Sequence, residues 1–174
     1  GKTEDVILLC NRNNRQITAR QIQTGEVSML AGGVRIQGAD LQEIAKIRTW
    51  QELLFPLHGK GEREYTAEAA AQTVWNTEVM ELLQSLHEEK GAFLFRIEYK
   101  GSLDERKKSE FVKKTASLLE EKSERMLINS ISDYEIEIRI VESKKGGYLP
   151  FLRLYTMEDE RFAYRKESIA ASIA

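Results

Sequence analysis

Two rhythms of apolar residues divide this chain. Short apolar or alternating runs mark strands, and stripes repeating every three and four residues mark helices. Asp5 to Cys10 is an apolar run bounded by Asn11, Asn13 and Asn14, which predicts a buried strand. Ile17 to Ile22 and Glu26 to Leu30 flank Thr24-Gly25, a pair suited to a hairpin turn because glycine accepts positive φ. Gly32-Gly33 breaks the chain again before Val34 to Gly38, a short alternating strand. Asp40 is placed to cap a short helix reaching Lys46. Arg48 to Leu57 predicts a strand, with a helix as the alternative up to Pro56. The polar, glycine-bearing stretch His58 to Glu64 is the best internal boundary.

Beyond it, Thr66 caps an alanine-rich helix from Ala67 to Trp75, and Asn76 or Thr77 starts a second helix ending near Lys90. Val79, Leu82, Leu83 and Leu86 form that helix's apolar stripe, and Gly91 is a natural stop. Phe93 to Tyr99 is the clearest strand. Leu103 to Met126 reads as a long amphipathic helix, with Phe111, Val112, Thr115, Ala116, Leu118 and Leu119 on one face. Its other face, with Arg106, Glu110, Lys113, Glu120 and Glu121, reads as solvated surface. Tyr134 to Val141 alternates, which predicts one buried and one wet face, so Glu135 and Glu137 are expected in solvent. Lys144-Lys145-Gly146-Gly147 turns back into Tyr148 to Tyr155, where Pro150 belongs near the strand's start or on an edge. Arg161 to Arg165 adds a possible short strand, and the chain turns helical from Ser168.

Composition narrows the class. The 174 residues suffice for one medium domain or two small ones, and 41% hydrophobic with 31% charged residues suits a globular chain. No apolar run is long enough to span a membrane, and the polar start Gly1-Lys2-Thr3-Glu4-Asp5 is no signal peptide. Gly1 in place of Met is expected of a cleaved chain or an excised domain. The single cysteine, Cys10, reads as a buried, inert thiol, and a lone cysteine fits a reducing cytoplasm. A net charge of −2 argues against tight autonomous nucleic-acid binding, which usually comes with a basic domain, but leaves room for a local basic patch.

The common signatures of chemistry are missing. There is no GxGxxG after a strand, no phosphate-binding GxxxxGK[ST] and no GxSxG elbow. His58 and His87 lie in different segments without HExxH or cysteine partners, so no zinc site is expected. No complete catalytic set is present, and no catalytic residue is expected in this chain. What remains is cations among aromatics. Arg161 and Arg165 alternate with Phe162 and Tyr164, Lys166 follows, and Lys144, Lys145 and Arg153 lie on the neighbouring hairpin. If these strands pair, the six cations could hold phosphates; the plainer reading is edge-strand charge that discourages aggregation. Arg48 is a second-tier candidate that could simply stack on Trp50.

Tyr65 to Tyr155, with two short helices, a strand, a long helix and a closing hairpin after Asp133, resembles the THUMP domain of RNA-modifying enzymes. Gly32-Gly33-Val34-Arg35-Ile36-Gln37-Gly38, followed by Ile47-Arg48-Thr49-Trp50, is similar to the small ferredoxin-like domain that precedes THUMP in RNA methyltransferases. Phe162 to Lys166 with Ala171-Ser172-Ile173 resembles the family's approach to a Rossmann-type catalytic domain. The resemblance implies an α+β fold: a ferredoxin-like subdomain over 1–62, a THUMP-like α/β module with a mixed sheet over 63–160, and a linker over 161–174. It also implies RNA (tRNA or rRNA) as partner, through Lys144, Lys145, Arg153, Arg161, Arg165, Lys166 and Arg48. The implied parent enzyme uses S-adenosylmethionine to methylate a guanine N2 in a covalently linked domain. The family's S-adenosylmethionine glycine loop and N/D-P-P-Y/F motif are absent, so no cofactor is expected on this chain. The acidic pI of about 5.9 and an apparently missing first helix depart from the family pattern. The competing expectation is a ferredoxin-like interaction or regulatory module that dimerises through a sheet edge, with the Tyr148–Tyr155 strand as its surface.

Overall fold

The computed structural model describes residues 3–57, 64–86 and 91–154. His58, His87, most of the boundary stretch 58–64, the end of the second alanine-region helix, and everything expected of 155–174 lie outside the described residues. That last segment includes Arg161, Arg165 and Lys166. The chain divides into two compact units, Gly1–Pro56 with Arg153–Ala174 (unit 1) and Leu57–Leu152 (unit 2). No helix among the described residues is long and apolar enough to cross a membrane.

Unit 1 is ferredoxin-like. Its order is β1 (Thr3–Cys10), α1 (Arg15–Gln21), β2 (Glu26–Leu30), β3 (Gly33–Asp40), α2 (Leu41–Ala45) and β4 (Trp50–Pro56), with the sheet running β2-β3-β1-β4. Every pair is antiparallel. The helix α1 corrects the expectation of a strand over 17–22 and supplies the helix that seemed missing. Arg15, Gln16, Ala19, Arg20 and Gln21 are good helix formers, and the β-branched Ile17, Thr18 and Ile22 masked that preference by suggesting a strand. Thr18 is fully buried, and its hydroxyl hydrogen-bonds the hydroxyl of Thr49. The hairpin at 24–25 is accordingly replaced by one at Ala31-Gly32, which joins β2 to β3. Gly33 allows β3 to approach β1, because a methyl there would overlap the Leu8 carbonyl. The cap at Asp40 is as expected, with Oδ1 accepting from the Gln42 N–H at 3.0 Å.

Unit 2 builds α3 (Ala67–Val74), α4 (Thr77–Leu86), β5 (Phe93–Lys100), α5 (Glu105–Lys122), β6 (Leu127–Asn129), β7 (Ile136–Glu142) and β8 (Tyr148–Leu154), whose last two residues enter unit 1. Thr66 and Asn76 side chains accept from the N–H groups of Ala69 and Val79, each at 3.1 Å, and start the two helices. The sheet order is β8-β7-β5-β6, with β5 parallel to both β6 and β7 and β8 returning beside β7 through a hairpin, so the sheet is mixed. The core joins Phe93, Phe95, Ile136, Ile138 and Ile140 to Phe111, Ala116 and Leu119 of α5.

The strand β7 departs from its alternating pattern. Its polar positions are not wet: Glu137 and Arg139 are 1% and 7% exposed. They satisfy one another, with Arg139 Nε and Nη2 2.8 and 2.7 Å from Glu137 Oε2. Arg96 of β5 adds a contact of 3.2 Å to Glu137 Oε1. A charge can be buried here because its partner is buried with it.

Candidate nucleic-acid interface

Two parallel strands, β5 and β7, end side by side, with Lys100 paired to Val141. One residue later in β7, Glu142 accepts from Ser102 N–H at 3.0 Å and from the Tyr99 hydroxyl at 2.9 Å. The Ser102 hydroxyl lies 3.0 and 2.9 Å from the two Glu142 oxygens. The loop into α5 is thereby fastened to the end of β7, two residues from Lys144. These bonds hold the Glu142 carboxyl below the usual glutamate range, the Ser102 N–H contributing most.

The hairpin turn is equally well specified. Ser143 N–H donates to Gly147 O at 3.0 Å, and Lys145 N–H donates to Ser143 Oγ at 3.1 Å. Gly146 and Gly147 take φ of 101° and 70°, the left-handed region that favours glycine. The Tyr65 hydroxyl donates to Ser143 O at 2.8 Å, and its ring meets Tyr148 edge-on at 5.1 Å. Tyr148 also packs on Phe111 at 4.7 Å and Tyr99 at 6.1 Å. Burial, followed by the neighbouring Tyr99, Glu142 and Tyr65, pushes the Tyr148 phenol up to about 12. Tyr65 keeps 48% of its surface in solvent beside the turn.

This end of unit 2 therefore gathers Lys144 and Lys145 on the turn, Lys100 at the end of β5, and Arg106, Lys107 and Lys108 at the start of α5. Among the described residues none of the six has an ion-pair partner. Three carboxylates lie within the same segments, and two of them are occupied: Asp104 caps Lys107 N–H at 2.9 Å, and Glu142 holds the loop. Asp104 caps α5 and Glu105 opens it, both suited to the positive end of the helix dipole, but Arg106 and Lys107 follow in its first turn. Cations there oppose the helix dipole, at about 0.3–1 kcal/mol each. A local rule broken without a local gain is what a binding surface produces. The ends of parallel strands beside a helix N-terminus are also a common place for anions.

Of the residues expected to touch RNA, the structure brings Lys144 and Lys145 into this cluster. Arg153 belongs to unit 1, where its guanidinium lies 2.7 Å from Glu52. Arg48, also in unit 1, is exposed ahead of β4, while Trp50 is buried and donates its indole N–H to Ile44 O at 3.1 Å. Of the cations at the start of α5, the sequence pattern assigns Arg106 to a solvated face and leaves Lys107 and Lys108 unmarked; the signal that could have found them is their position at the helix start. Cys10 is half-buried rather than buried, and lines an open cleft of about 480 Å³ with Arg12, Arg15, Ala31 and Gly32. No group of three or more potential metal ligands occurs among the described residues.

No family model matches the chain, and no curated protein matches it. Solved structures do. A 4-thiouridine synthetase in complex with RNA and bound ATP superposes with a TM-score of 0.55 at 14% identity, over 88% of this chain and 42% of that one. TrmN from Thermus thermophilus gives 0.54 at 14% identity, over 91% and 48%. A Pyrococcus horikoshii Ot3 protein gives 0.51 at 12% identity, over 86% and 54%. The fold is of the THUMP type. The chain spans about half the length of these structures.

Proposed function

We propose that this chain is the RNA-recognition region of an RNA-modifying enzyme, and that the basic end of unit 2 is its RNA contact. The observation that carries this reading is the gathering of Lys100, Arg106, Lys107, Lys108, Lys144 and Lys145 around the ends of β5 and β7, with the first-turn cations set against the dipole of α5. Such cations hold phosphates and fix the register of the RNA without reading bases. Tyr65 offers an exposed ring beside them, on which an unpaired base can stack. The fold-sharing 4-thiouridine synthetase was solved with RNA.

The finer reading is that a covalently linked domain performs the chemistry, transferring methyl from S-adenosylmethionine to a guanine N2 of tRNA or rRNA. Its support is the resemblance of Phe162 to Lys166 and Ala171 to Ile173 to the approach to a methyltransferase domain. The fold itself serves different chemistries, so the reaction belongs to the rest of the enzyme. The module's task is to raise the effective concentration of the target nucleotide at that domain.

Fluorescence anisotropy with labelled bulk tRNA, over a series of salt concentrations, tests the contact. Lys144→Ala/Lys145→Ala and Arg106→Ala/Lys107→Ala are each expected to weaken binding and to flatten the log–log salt slope by about 1–2. Lys46→Ala, whose ammonium pairs with Glu43, serves as the control in unit 1. Unchanged slopes in both double variants would overturn the assignment.

A further inference from the structure

The outer edge of unit 1 is unlike a protected sheet edge. All five residues of β2 are exposed, and among the described residues β3 is its one neighbour. Val27 and Met29 are 37% and 42% exposed, yet they stand opposite Ile36 and Val34, which are fully buried. Opposed residues share a face, so the apolar face of the core runs out onto a strand that nothing described covers. The guards are few: β2 carries one charge, Glu26 at its first residue, but no lysine and no proline, and its register with β3 is regular. The competing expectation of an edge on the Tyr148–Tyr155 strand does not hold, because β8 has β7 beside it and its last residues lie beside β4.

We infer that β2 is a self-association surface, pairing antiparallel with β2 of a second copy about a two-fold axis at Ser28. The sequence Glu26-Val27-Ser28-Met29-Leu30 suits that symmetry. Centred on Ser28, it sets Val27 against Met29 of the second copy, twice, and closes both apolar faces on the same side. A one-residue slip would send the two apolar faces to opposite sides. Charge selects the same partner. Glu26 arrives opposite Leu30 of the second copy, where Arg15 already donates from Nη1 to the Leu30 and Ala31 carbonyls. Each copy therefore carries the carboxylate at one end of the strand and the guanidinium at the other, which is the self-complementarity a two-fold interface requires. This inference does not rest on the RNA reading.

The test is cysteine trapping joined to sedimentation. In a Cys10→Ser background, Ser28→Cys places two thiols directly opposite one another, with Cα atoms about 4.5–5.5 Å apart, within disulfide reach. Glu26→Cys in the same background places its thiols about 14 Å apart. Under mild oxidation Ser28→Cys is expected to form dimer rapidly and Glu26→Cys not to. The unmodified chain should rise toward twice the monomer mass with concentration. Met29→Lys, at an exposed position, should stay folded by circular dichroism and remain monomeric, and Glu26→Lys should weaken dimerisation about tenfold. Lys144→Ala/Lys145→Ala should leave self-association unchanged, which separates this test from that of RNA binding. A chain that is monomeric throughout would overturn the inference. So would equal cross-linking of the two cysteine variants, or a dimer that survives Met29→Lys.

Discussion

The Tyr99 hydroxyl reaches across two parallel strands to Glu142, donating at 2.9 Å, and also accepts from Leu103 N–H at 3.2 Å. One phenol thus joins the end of β5, the end of β7 and the loop into α5, and so sets the distance between the cations of the turn and those of the helix. Tyr99→Phe removes only that oxygen. We expect it to cost about 1 kcal/mol of stability and to lower RNA affinity, read by chemical denaturation and anisotropy on the same variant.

Acid should loosen the same joint. The Glu142 carboxyl sits below its ordinary value of 4.5 because the folded chain hydrogen-bonds its charged form. Its stabilisation is therefore fully present above that value and is lost as pH falls through the lower, folded one. Melting temperature followed from about pH 6 down to about pH 3 should fall more steeply in the parent chain than in Glu142→Gln, the two curves converging in acid. Parallel curves would mean that the carboxylate contributes nothing through its charge.

At the other end of the scale, Tyr148 should be among the last tyrosines to ionise. Its phenol is pushed to about 12, and that of Tyr99 is raised as well, burial being the first cause in both. The stabilisation from keeping Tyr148 protonated is whole below the ordinary value of 10.0 and is lost as pH rises through about 12. Ultraviolet titration of the phenolate should show a late component that Tyr148→Phe removes.

The buried pair on β7 gives a test in which one change should cost more than two. Glu137→Ala leaves Arg139 charged and buried, and should cost about 3–5 kcal/mol in urea unfolding. Glu137→Leu with Arg139→Met removes both charges and should recover most of that loss. Equal losses in both variants would show that packing, not charge pairing, holds this position.

Two adjacent glycines should behave differently. A methyl on Gly33 would overlap the Leu8 carbonyl, whereas Gly32 has open space around its Cβ position. Gly33→Ala should cost at least about 2 kcal/mol, and Gly32→Ala should stay within about 0.5 kcal/mol, by thermal or urea unfolding.

These cases show why some of the molecule was legible and some was not. Asp40, Thr66 and Asn76 announce helix starts because a cap is a local matter between a side chain and an N–H two or three residues on. The helix α1 is masked because Ile17, Thr18 and Ile22 are β-branched and suggest a strand, although the residues around them favour helix. Alternation predicts a wet Glu137 because it reports polarity, and a buried ion pair is polar on both sides. The three residues of β6 are too short to carry a period. In the candidate site, the lysines of the turn stood out beside two glycines. Arg106, Lys107 and Lys108 did not, because contacts distant in sequence, those of Glu142 with Ser102 and Tyr99 and of Phe111 with Tyr148, bring the start of α5 to that turn.

One hydrogen bond described by neither rhythm closes the two ends of unit 2 on each other. Leu57 N–H donates to Pro150 O at 3.0 Å, so the polypeptide enters and leaves unit 2 at neighbouring points. Everything between is a long excursion whose ends already meet once it has folded. Unit 1, by contrast, is split: Glu52 is synthesised before the excursion and its partner Arg153 after it. On the ribosome, unit 2 can therefore reach its final form first, and in doing so reduces the closure entropy of bringing residue 153 back to β4 to that of a short loop.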